Sequence, residues 1–106
     1  MQGRFLVCGL ALLVTALPVR ALEGDAEAAK AKISMCIGCH GIEGYRTTFP
    51  EVYPVPKLGG QYPEYIVAAL QAYKAGERSH PTMRSVAAGL SEQDMADLAA
   101  YYSAAR

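Results

Sequence analysis

The chain has 106 residues, with 10 Lys or Arg set against 10 Asp or Glu, so its formal net charge is zero. That length allows one small domain, and 52% apolar with 19% charged residues excludes a disordered or fibrous chain. Without a basic excess, no nucleic-acid partner is expected. No Trp and only two Phe make a thin aromatic supply for a core, although seven Tyr partly compensate, and three cysteines leave one without a mate.

The N-terminal segment accounts for the odd cysteine. Arg4 precedes an uncharged apolar run over residues 5–17 that contains Cys8, and Pro18-Val19-Arg20-Ala21 follows. A basic start, a short apolar run and a Val-x-Ala ending predict a secretory signal peptide over residues 1–21, cleaved after Ala21. The run is short of the ~20 apolar residues a spanning helix needs, so no stable membrane insertion is expected once the signal is removed. An uncleaved anchor is the competing reading. Cleavage removes Arg4, Arg20 and Cys8 and leaves a domain of residues 22–106 with eight basic and ten acidic side chains, net −2. The two remaining cysteines are Cys36 and Cys39.

Within 22–106, three segments have helical periodicity. The first covers residues 25–39, with Asp25 placed to cap and Ala26, Ala29, Ile33 and Ile37 at helical spacing. The second opens at Pro63, carries Ile66, Ala69, Leu70 and Tyr73 on one face, and stops at Gly76. The third starts with Ser91 and Asp94 as a capping box and aligns Met95, Leu98, Ala99 and Tyr102. No stretch alternates as a strand would. A loop over residues 41–62, with three prolines and Gly59-Gly60, is long enough to wrap something. The expected class is all-α.

Cys36-Ile37-Gly38-Cys39-His40 is the attachment pattern of a c-type haem. Two thiols three residues apart lie on one side of a helical turn, where each can add across a haem vinyl group as a thioether. The imidazole of His40 then falls beneath the iron as its proximal ligand. Gly38, with no Cβ, lets a porphyrin approach the backbone. Other uses of the pair fit less well. A thioredoxin-type redox pair belongs beside a βαβ pattern, which is absent. Zinc needs four ligands, and only His80 is left to join Cys36, Cys39 and His40 without recruiting a carboxylate. A disulfide across so short a loop is strained and gains little. Export is consistent with haem, which is attached on the outer side of the bacterial inner membrane.

The ordered elements from Gly24-Asp25-Ala26 through the haem motif with its trailing Gly41, Pro56-Lys57-Leu58-Gly59-Gly60-Gln61-Tyr62-Pro63, Pro81-Thr82-Met83, and Gly89-Leu90-Ser91 to Asp97-Leu98-Ala99-Ala100-Tyr101 resemble the class I monohaem c-type cytochromes, especially the small soluble bacterial ones. The resemblance covers residues 24–103. It implies a cytochrome c-like fold, three main helices plus loops wrapped around one covalent haem c. It also implies that the carbonyl of Pro56 accepts the second N–H of His40, and that Leu58 packs on the haem. The family crosses its first and last helices through a glycine against an aromatic; here Ala29 stands opposite Tyr101, which implies a slightly wider crossing.

Four side chains could supply the sixth iron ligand. Met35 adjoins the attachment helix on the proximal side, and Met95 lies on the inward stripe of the last helix, where core packing explains it. Met83 follows Pro81 in an irregular segment between helices that can aim it at the iron, and by resemblance it occupies the family's distal ligand position. His80 would give a bis-histidine site or else is a solvated loop histidine. In the loop, Arg46 and the neighbouring tyrosines would hydrogen-bond haem propionates or simply meet solvent. The expected metal ligands are therefore His40 and Met83.

His and Met ligation leaves no open iron position, which suits one-electron transfer rather than catalysis. The expectation is a monomeric periplasmic electron carrier, not an enzyme, serving respiratory redox partners: membrane complexes, or periplasmic dehydrogenases or oxidases. A haem-based gas sensor, or a tethered cytochrome subunit of a larger redox complex, are the alternatives.

Overall fold

The carboxylate of Asp25 accepts from the backbone N–H groups of Glu27 and Ala28 and so starts the first helical turn. In the computed structural model, which describes residues 22–49 and 52–104, this helix, α1, ends after one turn at Ala26–Ala29, and α2 resumes at Ser34–His40. The continuous helix expected over 25–39 is thus broken at residues 30–33. Bonds there tighten to the three-residue kind, Lys32 N to Ala29 O at 2.8 Å and Cys36 N to Ile33 O at 2.8 Å. Such turns advance about 120° per residue instead of about 100°, so α2 is rotated relative to α1. Ile37, which a straight helix would bury with Ala29, is half exposed instead. The predicted signal peptide lies outside the described residues.

The long loop contains a small antiparallel pair that the sequence did not suggest. Strand β1 (Arg46–Thr47) meets β2 (Tyr53–Pro54), with Arg46 opposite Pro54 and Thr47 opposite Tyr53. Two residues per strand are too few to show alternation. Helix α3 (Pro63–Ala75) begins on Pro63 and ends on Gly76, whose φ of 80° is the left-handed geometry that closes a helix. A further helix, α4 (Pro81–Ala88), replaces the irregular segment expected around Met83. Its signal is weak in sequence because it is only eight residues long. Helix α5 (Glu92–Ala104) opens on the expected capping box: Ser91 N–H donates to Asp94 Oδ2 at 2.9 Å and Asp94 N–H to Ser91 Oγ at 3.1 Å.

Helices α1 and α3 pack on α5, and α4 packs on α3. Ala29, Leu90, Met95 and Leu98 form the buried cluster, flanked by Ile33, Cys36, Leu70, Tyr101 and Tyr102. Ala29 is fully buried at the crossing. The tightest approach, however, is at Gly24 just before α1, where a Cβ would stand 2.0 Å from the Ala96 carbonyl oxygen. Polar contacts tie down the same entry segment. Asp25 N–H donates to the buried Asp97 carboxylate at 2.8 Å, and Gln93 bridges the Glu23 carbonyl and Asp97 at 2.8 and 2.9 Å. Lys32 pairs with Asp94 and lies 3.8 Å from Asp97, so the buried charge is compensated.

Candidate functional site

One cavity of about 320 Å³ collects nearly every chemically notable side chain of the chain. The short helix α2 contributes Cys36, Cys39 and His40 to its wall, and the first turn of α4 contributes Met83. The loop contributes Pro56 and Leu58. The stripe Ile66, Ala69, Leu70 and Tyr73 of α3 faces this cavity, and Leu98 and Tyr102 of α5 close it. That explains why only Ile66 of the α3 stripe is buried by protein alone. The other three cover a space that this chain does not fill.

The geometry around His40 is specific. Its Nδ1 lies 2.7 Å from the carbonyl oxygen of Pro56. A carbonyl can only accept, so Nδ1 carries the proton and Nε2 keeps a free lone pair. Cys36 and Cys39 are free thiols. Burial pushes the Cys36 thiol above its ordinary value, partly opposed by the Tyr102 hydroxyl beside it. That hydroxyl is itself enclosed and makes no well-aligned hydrogen bond, and burial drives its pKa upward. Beyond its own helical turn, a Cβ on Gly38 would meet nothing within 4 Å, so packing among the described residues does not require a glycine there. Among the described residues, no three His, Cys, Asp or Glu side chains cluster to hold a metal ion by themselves.

These features fit a haem. Two thiols, an imidazole with a free Nε2 and a thioether all reach one largely apolar cavity. Cys36, Cys39, His40, Met83, Pro56 and Leu58 are brought together there. Met95 is fully buried in the core, away from the cavity, whereas Met35 lines the cavity and is half exposed. Arg46 does not reach the wall and is exposed, but Thr47 and Tyr53 from the same loop do. Arg78, which sequence reasoning passed over, also lines the cavity, its guanidinium 4.7 Å from the Tyr73 ring. Its only sequence signal is its place two residues past the helix-ending Gly76. His80 is not a solvated loop residue: it is half-buried, lines the cavity and caps α4.

A sequence model of the cytochrome c family matches residues 26–104. The chain is 41% identical to cytochrome c-554(548) of Halomonas halodenitrificans over 83 residues, 76% of this chain and 95% of that protein. It is 42% identical to cytochrome c4 of Thiocapsa roseopersicina over 82 residues, 76% of this chain but 40% of the relative. The crystal structure of reduced recombinant cytochrome c4 from Pseudomonas stutzeri superposes with a TM-score of 0.63 at 37% identity, covering 78% of this chain and 46% of that one. The chain therefore spans nearly all of the first relative and less than half of the two cytochromes c4.

Proposed function

The chain belongs to the cytochrome c family, and with that as premise we propose that it is a periplasmic one-electron carrier holding one haem c covalently, with His40 and Met83 on the iron. Membership makes it a c-type cytochrome, an electron carrier with haem c. The attachment, the ligands, the compartment and the partners are the proposal. The observation that carries it is the convergence of Cys36, Cys39, His40 and Met83 on one cavity with His40 Nδ1 tied to Pro56.

Bound there, haem c supplies an iron that alternates between Fe(III) and Fe(II). Cys36 and Cys39 would hold the haem through thioether bonds to its two vinyl groups, an addition of S–H across C=C that needs no oxidant. The Pro56 carbonyl fixes the His40 tautomer, leaves Nε2 for the metal and raises its basicity. Met83 offers a thioether, a soft ligand that favours Fe(II) and raises the potential. Leu58, Ile66, Leu70 and Leu98 exclude water from the cavity, which favours the less charged state. With His40 and Met83 both committed to the metal, the chain would leave it no position for a substrate, which supports electron transfer rather than catalysis. The predicted signal peptide supports export, and among the described residues no helix is long and apolar enough to cross a membrane. The partners are redox proteins, membrane respiratory complexes or periplasmic dehydrogenases or oxidases.

The test is spectroscopy and potentiometry on the exported protein, with Met83→Ala alongside. Mass measurement after denaturation should show haem still attached. Oxidised wild type should show the far-red Met–iron charge-transfer band, and the variant should lose it and gain carbon monoxide binding when reduced. Identical spectra for the two proteins would refute the ligand assignment.

A further inference from the structure

Helix α4 is short and packs mainly on α3, yet its first turn carries Met83. Pro81 in the first helical position has no N–H, so the early amides of this turn depend on what precedes them. One residue serves two of them. The Nδ1 atom of His80 accepts from Met83 N–H at 3.3 Å, and the carbonyl of His80 accepts from Arg84 N–H at 2.9 Å. Because Nδ1 accepts, the ring proton sits on Nε2. The same ring meets Tyr53 of β2 edge-on, centroids 5.3 Å apart at 66°. His80 therefore touches two walls of the cavity, the turn that carries Met83 and the loop strand beside it.

We propose that His80 is a positioning residue for the axial methionine: its ring caps α4 at the amide of Met83 and braces that turn against Tyr53. This rests on the reading of Met83 as the sixth ligand. Met83 occupies the third helical position, inside the turn that frays first when a cap is lost. A methionine side chain has three rotatable bonds, so its sulfur stays on target only if its Cα is held. Asn or Asp would cap as well as an imidazole, but their shorter side chains do not extend to Tyr53 as the His80 ring does. Capping and bracing together explain a histidine where a smaller residue would end the loop as well.

The test uses the haem-loaded protein and added imidazole as a probe, which must displace the Met83 sulfur to bind oxidised iron. His80→Ala should bind imidazole about fivefold more tightly than wild type, the effect of one lost cap. Its far-red charge-transfer band should weaken at a lower temperature than the helical signal falls. His80→Asn, which restores the cap acceptor but not the contact with Tyr53, should fall between wild type and His80→Ala. His80→Gln is polar but too long to cap well and should follow His80→Ala, so the Asn–Gln pair decides the matter if the Ala variant does not load haem. Equal imidazole affinity in wild type and His80→Gln, or an Asn variant as weakened as Gln, would overturn the capping role. Absence of the charge-transfer band in wild type is a different failure, that of Met83 as ligand.

Discussion

Gly24→Ala isolates the contact that closes the helical frame. The added Cβ would stand 2.0 Å from the Ala96 carbonyl oxygen, 2.5 Å from its carbon and 3.1 Å from the Ala100 Cβ. The first two are backbone atoms of α5, which cannot rotate aside as a side chain can. Roughly 1 Å of separation must come from moving the entry segment. That movement pulls on the Asp25–Asp97 and Glu23–Gln93 hydrogen bonds, which anchor the same residues. Overpacking of this kind costs about 1–3 kcal/mol, and a backbone obstacle puts it in the upper half. Restricting the unfolded chain returns about 0.4–1 kcal/mol. A net loss of about 1–2.5 kcal/mol lowers the melting temperature of a domain this size by roughly 5–20 °C. The assay is thermal unfolding of the haem-loaded protein by circular dichroism. Gly24 does not line the cavity, so the visible spectrum should not change. A melting temperature equal to or above wild type would show that the approach is not as close as the structure has it.

The remaining expectations concern the other anchors of α5. The Lys32 hydrogen bond, helped by the Ser91 backbone, holds the Asp94 carboxyl down at about 2. A lowered carboxyl stabilises the fold above its unfolded value near 4. The contribution is lost as the pH falls through about 2. Asp94→Asn should therefore flatten the loss of stability between those two pH values in a circular-dichroism titration, and an unchanged slope would contradict the pairing. Met95→Ala removes the largest fully buried side chain of the core and should cost about 2–5 kcal/mol in denaturant unfolding, with the Met–iron band intact. Loss of that band in Met95→Ala would point to the wrong methionine.

Local signals in the chain translated directly into structure where both partners lie within a turn of each other. Asp25 caps α1, Pro63 and Gly76 bound α3, and Ser91 with Asp94 opens α5. The haem motif belongs with these, because its three functional side chains sit within five consecutive residues of α2. The approach of Pro56 to His40 was implied only by family resemblance, since no spacing rule joins residues 16 positions apart.

By itself, then, the sequence determined the kind of cofactor, the helical class and most helix ends, because attachment chemistry and caps act over a few residues. Only the tertiary structure decided the break at residues 30–33, the helix that carries Met83, the cap that His80 provides and the close approach of Gly24 to Ala96. Each of these depends on where distant segments meet or on elements too short to show a period. It also decided that the apolar stripe of α3 faces a cavity rather than protein. Periodicity marks a face as apolar, but only packing shows what covers it.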